Sequence, residues 1–150
     1  MEQSTRAALD KLYHRGPDGE GIYRAAVEGG ALTLAHRRLA IIDLSDSGLQ
    51  PMKSDDERYV ITYNGEIYNY VELRKELEGL GHSFRTQTDT EVLLVAWRFW
   101  GQKALDKLDG MFAFAVFDKL ENTLTCVRDP FGIKPFYYCK EGESFVFGSE

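Results

Sequence analysis

The chain has 150 residues and a mass of 17.1 kDa, which suits one domain with a buried core and leaves little room for a second. Hydrophobic residues make up 43% of the chain and charged residues 28%, the balance of an ordinary globular protein rather than a disordered one. The net charge of −6 argues against a nucleic-acid binder or a protein that docks on anionic membranes, because polyanions repel a negatively charged protein.

The longest apolar run covers residues 111–117, far below the ~20 residues of a membrane-spanning helix. Residues 1–16 contain no apolar core of a secretion signal. Two cysteines, Cys126 and Cys139, are too few for a disulfide scaffold, so we expect a cytoplasmic protein. Neither cysteine has a basic cluster or helix start beside it in the sequence, so both are predicted to be buried small residues rather than nucleophiles.

The first half of the chain predicts one short helix followed by strands. Residues 5–13 form the helix, with Ala8, Leu9 and Leu12 on one side, and a turn follows at 15–19. Strands are predicted at 21–27, 31–36, 39–44 and 58–63, with a polar loop at 45–56.

The second half predicts two helices and then hairpins. Leucine spacing predicts a helix over 70–80. A second helix is predicted over 88–100, opening with a TDTE segment that fits a capping box. Its buried positions are expected to be Val92, Val95, Ala96, Phe99 and Trp100. Strands follow at 111–117, 123–128, 134–139 and 144–148, so the fold class is α+β, with helices laid on antiparallel sheets.

The dipeptide Asn64–Gly65 directly follows the strand predicted at 58–63. Asn-Gly between apolar runs is the strongest local signal for a type I′ hairpin turn. The segment after Glu66 becomes helical, however, so a two-residue hairpin fits poorly. A side-chain amide next to a glycine N–H can instead present two donors to an oxyanion. Spacing alone leaves both interpretations open.

Arg37 and Arg38 lie between two apolar stretches. Arginines are usually solvated, but alternation along an extended segment sends these two side chains to opposite faces. An inward-facing guanidinium needs a carboxylate partner, either from the protein or from a ligand.

Asp89 fits the N-terminus of the second predicted helix, where its charge suits the helix dipole. Thr88 is an equally good N-cap, which would leave the carboxylate of Asp89 available to an amino group of a ligand. The three histidines show no metal-ligand spacing, so no metal site is expected; they are His14, His36 and His82.

Seven segments follow one another along the chain in an order that can be compared with known families: HRGPDG (14–19), LAHRRLAIIDLS (34–45), QPM (50–52), YNGEIYNY (63–70), TDTEV (88–92), LDGMFAFAVFD (108–118) and RDPFGIKPFYY (128–138). Together they closely resemble the glutaminase domain of asparagine synthetases, over nearly the whole chain. That family belongs to the class II glutamine amidotransferases, which are N-terminal-nucleophile hydrolases. The resemblance implies a four-layer α/β/β/α sandwich with antiparallel sheets.

The resemblance also implies a pocket for L-glutamine. Arg38 would bind the α-carboxylate of glutamine, and Glu66 and Asp89 would bind its α-amino group. Asn64, through its side-chain amide, and Gly65, through its backbone N–H, would form the oxyanion hole. Further residues expected to line the pocket are Leu39, Ile41 and Ile42.

In this family a cysteine at the start of the mature chain attacks the side-chain amide of glutamine, with its own α-amino group as the base. This chain begins Met1-Glu2-Gln3 instead. The resemblance thus implies a partial type 2 amidotransferase domain over 1–150, lacking its first strand and its C-terminal part, and inactive alone. It implies no cofactor for this domain. It also implies an ATP-dependent synthetase domain downstream, which would use ATP and Mg²⁺ to amidate aspartate, and a homodimer as a possible assembly.

Two alternatives stay open. The chain could be a non-catalytic module that binds glutamine or a protein partner. It could also be the amidotransferase domain of a relative that amidates a different carboxylate, because the acceptor would be chosen by the other domain.

Overall fold

Two antiparallel sheets stack face to face in the computed structural model, which describes residues 2–150. A two-stranded sheet, β1–β2, packs against a four-stranded sheet in the order β3-β4-β5-β6, and β7–β8 forms a separate hairpin. The helices are α1 (Glu2–Lys11), α2 (Tyr70–Gly79) and α3 (Asp89–Trp100). The strands are β1 (Gly19–Val27), β2 (Gly30–Arg38), β3 (Met52–Lys53), β4 (Tyr59–Ile67), β5 (Gly110–Asp118), β6 (Thr123–Arg128), β7 (Tyr137–Glu141) and β8 (Ser144–Gly148).

Strand β5 of the four-stranded sheet is buried on both faces along most of its length. Side chains alternate along a strand, so successive residues of β5 face opposite layers. Phe114 packs in the core shared with α2 and α3, whereas Phe117 packs against Leu34 of β2. On the far side of β2, α1 buries Leu9, whose carbonyl oxygen accepts a hydrogen bond from Nε of Arg37 at 3.0 Å. The predicted α/β/β/α order with antiparallel sheets is therefore confirmed.

The two predicted long helices are confirmed. Glycine in the left-handed region follows both, since Gly81 has φ of +92° and Gly101 has φ of +58°. One expected core residue of α3 is wrong: Phe99 is exposed, because it lies on the side of the helix away from the sheet and contacts the ring of His82. Within residues 2–150, no helix has the length and apolar character needed to cross a membrane.

The N-terminal half departs from the prediction at several points. The first helix starts and ends earlier than predicted, and Ala8 is exposed although Leu9 is buried. The strand predicted at 39–44 is wrong, because the chain leaves the sheet after Arg38 and turns at Asp43, whose carboxylate accepts hydrogen bonds from the N–H and hydroxyl of Ser45. The loop predicted at 45–56 contains the short strand β3, which pairs with β4.

The prediction that both cysteines are buried is wrong for Cys139, which is exposed on β7. Cys126 on β6 is partly buried. The difference arises because both faces of β7 are exposed, whereas one face of β6 meets the interior.

Candidate functional site

Strand β4 carries the Asn64–Gly65 dipeptide in its interior. The strand was predicted to end at Tyr63, but it continues to Ile67, with Gly65 opposite Phe112 on β5. The hairpin interpretation is therefore wrong. A side chain at Gly65 would bring Cβ within 2.3 Å of the carbonyl oxygen of Met111, so close strand packing requires glycine here.

The edge of β4 that faces away from β5 carries backbone donors. The N–H of Tyr63 donates to Oε1 of Gln50 at 2.6 Å, and the N–H of Ile67 donates to Oδ2 of Asp89 at 3.1 Å. Backbone N–H groups two residues apart point to the same edge, so the N–H of Gly65 lies between these two. Strand β3 pairs with β4 at Ile61 and Val60 and not beyond, so among the described residues no strand covers this N–H.

Asn64 and Arg38 face the space between the two sheets. Nδ1 of His36 on β2 lies 3.3 Å from Oγ1 of Thr62 on β4, which joins the inner faces of the two strands. Arg38 and Asn64 each lie two residues beyond that contact, on the same faces. The predicted carboxylate-binding residue and the predicted oxyanion donor thus project into one region.

Arg38 is buried, whereas Arg37 turns outward to α1, as alternation predicts. The guanidinium of Arg38 donates to the carbonyl oxygens of Ser45, at 2.5 Å, and of Asp43. The partner expected from the sequence was a carboxylate, so the carbonyl oxygens of the 43–48 loop take that place. A Cβ at Gly48 would meet both Nη2 of Arg38 and the methyl group of Thr88, so the guanidinium lies beside the start of α3.

Asp89 is buried at the first residue of α3, but it does not cap the helix. Thr88 is the N-cap, and its hydroxyl accepts a hydrogen bond from the N–H of Glu91. The carboxylate of Asp89 instead accepts from the hydroxyl of Tyr63 at 2.7 Å and from the N–H of Ile67. Asp89 is therefore attached to the strand that carries Asn64 and Gly65.

The remaining predicted residues border the site at the surface. Glu66 is exposed and shares its strand face with Asn64. In the loop after β2, three apolar side chains are exposed: Leu39, Ile41 and Ile42. An exposed apolar loop next to a buried arginine can cover the aliphatic part of a small ligand.

Neither cysteine lies at this site. Cys126 pairs with Ala115 of β5, two residues and two strands from Asn64, a separation of about 12 Å. Burial raises the pKa of the Cys126 thiol to about 11, so the thiol stays protonated at neutral pH. Cys139 lies on the exposed strand β7.

Two site residues were not singled out by the sequence. Gln50 and Tyr63 are the first residues of the segments QPM and YNGEIYNY, which carry the resemblance, but the sequence predicts no role for either. Their contacts join segments that are distant in the chain, so local patterns carry no signal for them.

A sequence profile of the glutamine amidotransferase domain family matches residues 1–150. Asparagine synthetase [glutamine-hydrolyzing] 1 of Bacillus subtilis is 48% identical over 150 residues, covering 100% of this chain and 23% of that protein. A probable asparagine synthetase [glutamine-hydrolyzing] of Dictyostelium discoideum is 42% identical over 153 residues, covering 100% of this chain and 26% of that protein. The chain thus spans about a quarter of the length of these relatives.

Among solved structures, glutamine phosphoribosylpyrophosphate amidotransferase from B. subtilis, complexed with ADP and GMP, superposes with a TM-score of 0.75. The match covers 94% of this chain and 37% of that one at 24% identity, so it shows a shared fold. Sequence and fold agree, and the chain belongs to the glutamine amidotransferase domain family.

Proposed function

We propose that this chain is the glutamine-binding amidotransferase domain of an asparagine synthetase. In that enzyme the side-chain amide of glutamine would supply ammonia for the ATP-dependent amidation of aspartate. One observation carries the proposal: a buried cation, Arg38, and a buried carboxylate, Asp89, both lie at the start of α3, beside the edge of β4 that presents the N–H of Gly65. The 42–48% identity to proteins named as glutamine-hydrolysing asparagine synthetases supports it.

These two charges suit a free amino acid. A guanidinium has five N–H donors, and the loop carbonyl oxygens engage two of its nitrogens, which leaves donors of Arg38 for the α-carboxylate of glutamine. Asp89, assisted by the exposed Glu66, would receive the α-ammonium group. The exposed apolar loop at 39–42 would cover the methylene groups.

The amide end of glutamine would lie at Asn64 and Gly65. Attack on the amide carbon places negative charge on its oxygen, and the Asn64 amide with the Gly65 N–H would stabilise that charge. The attack requires a thiolate beside these donors. Because Cys126 and Cys139 lie elsewhere, we expect the 150-residue chain to bind glutamine without releasing ammonia.

The other partners follow from the same proposal. The relatives are about four times as long as this chain, which supports a synthetase domain in the parent protein. ATP and Mg²⁺ would belong to that domain, and aspartate would be its acceptor. The cytoplasm is proposed as the location because both cysteines are unpaired. The homodimer stays a prediction.

Calorimetric titration of L-glutamine into the 150-residue chain tests the proposal. We expect binding to the wild type, and we expect Arg38→Ala to weaken the affinity at least about tenfold, because a charge-assisted contact to the α-carboxylate is lost. Arg37→Ala is the matched control, since Arg37 points to the opposite face of β2, and it should retain the affinity. A folded wild type that binds no glutamine at millimolar concentration would overturn the proposal, as would equal losses in the two variants.

Ammonia release, followed in a coupled assay on the same sample, tests the second half of the proposal. We expect no turnover above a no-protein blank. Turnover typical of a glutaminase would contradict the expectation that neither Cys126 nor Cys139 can attack the bound amide.

A further inference from the structure

The carboxylate of Asp89 is held on one side only. The Tyr63 hydroxyl and the Ile67 N–H both donate to Oδ2, at 2.7 and 3.1 Å. Among the described residues 2–150, no hydrogen bond reaches the other oxygen, Oδ1. Asp89 itself is buried, with 6% of its surface exposed. One oxygen of the carboxylate is thus fixed to β4, and the other is open to a ligand.

Tyr63 is fixed in turn. Its ring lies in the core between β4 and the helices, and its backbone N–H donates to Oε1 of Gln50 at 2.6 Å. Nε2 of Gln50 then donates to the hydroxyl of Thr90, the residue after Asp89, at 3.3 Å. Tyr63 is therefore joined to the first turn of α3 at two points. Its hydroxyl bonds to Asp89, and its backbone N–H is linked through Gln50 to Thr90.

The Tyr63 hydroxyl keeps its proton and donates a hydrogen bond to Asp89. Burial, reinforced by the negative charge of Asp89, raises the pKa of Tyr63 well above its ordinary value. The hydroxyl therefore keeps its proton wherever the domain is folded. A permanent neutral donor fixes the orientation of a carboxylate without neutralising its charge.

We infer that Tyr63, braced by Gln50, is a positioning residue of the glutamine site: it holds Oδ2 of Asp89 so that Oδ1 is presented to the α-ammonium group of the ligand. The same contact sets the distance between the ammonium site and the donors of Asn64 and Gly65, because Tyr63 precedes them on β4. Tyr63 touches neither the ligand nor the reacting atoms in this arrangement. This inference rests on the proposed function.

Tyr63→Phe removes the hydroxyl and keeps the ring, so the core packing is retained. With only the Ile67 N–H left to hold Oδ2, the Asp89 carboxylate can rotate away from the ammonium group. We expect the dissociation constant for L-glutamine to rise roughly tenfold, the effect of losing one hydrogen bond to a charged group. Glutaramate, which is glutamine without its α-amino group, should bind the variant and the wild type equally.

The test compares the two ligands by calorimetry and by ligand-observed NMR on the 150-residue chain. Tyr59→Phe is the matched control: Tyr59 lies on the same face of the same strand, its hydroxyl interacts with Asp118 instead, and the substitution should change neither affinity. A second variant, Gln50→Met, removes the brace and should weaken glutamine binding in the same ligand-selective way, by a smaller factor.

The possible outcomes test the role of Tyr63 separately from the proposed function. If wild type binds glutamine and Tyr63→Phe weakens glutamine and glutaramate by the same factor, the tyrosine is merely structural and the inference is overturned. Unchanged glutamine affinity in a folded Tyr63→Phe variant overturns it as well. If wild type binds no glutamine, the proposed function itself fails.

Discussion

Arg38 is a buried cation that the protein satisfies with carbonyl oxygens. Arg38 is 8% exposed, and its guanidinium donates to backbone carbonyl oxygens of the 43–48 loop rather than to a protein carboxylate. A buried charge without an opposite charge in contact is costly. The charge of Asp43 also acts on Arg38, and a ligand carboxylate would add an opposite charge in direct contact, so the same residue is suited to binding an anion. Gly48 leaves room for the guanidinium at this position, because any side chain on residue 48 would overlap it.

His36 provides a pH prediction at the same scale. Burial, with a smaller contribution from the charge of Arg38, lowers the pKa of His36 from 6.5 to about 4. Below pH 6.5 the unfolded chain takes up this proton while the folded chain does not, so stability is complete above pH 6.5 and falls as the pH drops towards 4. We expect the free energy of unfolding to decrease by up to about 3 kcal/mol over that window.

Urea unfolding curves between pH 7 and pH 4 measure this effect. His36→Gln keeps a polar partner for Thr62 and does not titrate, so the His36 contribution to the pH dependence should disappear. His14→Gln, a change at an exposed histidine, should leave the fall in stability towards pH 4 in place. If the free energy of unfolding depends on pH in the same way in wild type and in His36→Gln, the effect does not come from His36.

The first turn of α3 is held by hydrogen bonds to residues that precede the helix. The capping box predicted at 88–91 is half confirmed. Thr88 accepts a hydrogen bond from the N–H of Glu91, but the carboxylate of Glu91 reaches past Thr88 to the N–H groups of Arg85 and Thr86 and to the hydroxyl of Thr86. Glu91 is buried, so these donors and the carboxylate depend on one another.

Glu91→Gln tests that anchor. The amide group keeps the shape but offers an N–H₂ group to donors that need an acceptor, so we expect the free energy of unfolding to fall by about 1–3 kcal/mol. Chemical denaturation measures the loss. Glu72→Gln in the first turn of α2 is the control, because Glu72 is exposed, and it should change stability by less than about 0.5 kcal/mol. Similar effects of the two substitutions would show that the buried contacts contribute little.

Two glycines give a second prediction for the elements. A Cβ at Gly65 would lie 2.3 Å from the carbonyl oxygen of Met111 on β5, so Gly65→Ala must push the two strands apart. We expect it to cost about 1–3 kcal/mol. A Cβ at Gly79, in the last turn of α2, meets no atom within 4 Å, so Gly79→Ala should raise stability by about 0.5–1 kcal/mol. Thermal melts of both variants measure the contrast, and a neutral Gly65→Ala would mean that β4 and β5 are less tightly packed than described.

Elements were predictable from sequence where the pattern that forms them is local. The helices α2 and α3 repeat apolar residues at spacings of three and four, and β5 is a continuous apolar run. The segment 39–44 has apolar residues typical of a strand, yet it leaves the sheet, because Asp43 is bonded to the N–H of Gln87, 44 residues away. In the site, Arg38 and Asp89 were predicted through the resemblance, whereas the contacts of Gln50 and Tyr63 depend on how three segments meet.

At the scale of the whole molecule, burial is concentrated in the four-stranded sheet at the centre of the fold, the central sheet, and decreases towards the β7–β8 hairpin. Strand β5 is buried along most of its length, whereas β7 is exposed throughout. The hairpin meets the rest of the fold through Phe147, which packs against the cluster around Leu34 and stacks on Phe136 at 5.2 Å. A cavity of about 360 Å³ separates the hairpin from β6, with the rings of Phe136, Tyr138 and Phe145 among its walls.

A two-stranded hairpin with this little burial is marginally stable by itself. We therefore expect β7–β8 to open without unfolding of the central sheet, in a separate cooperative step. Hydrogen exchange followed by mass spectrometry on the 150-residue chain measures it. Amide groups of β7 and β8 should be protected at least about tenfold less than those of β4 and β5.

The β1–β2 sheet serves as the internal control for that measurement. It is also two-stranded, but α1 covers one face and the central sheet covers the other, so its protection should lie closer to that of β4 and β5. The ion pair between Arg15 and Glu150, at 2.8 Å, ties the residues after β8 to the start of the fold, but an exposed pair contributes little. Equal protection in β5 and β8 would show that the packing of Phe147 alone couples the hairpin to the core.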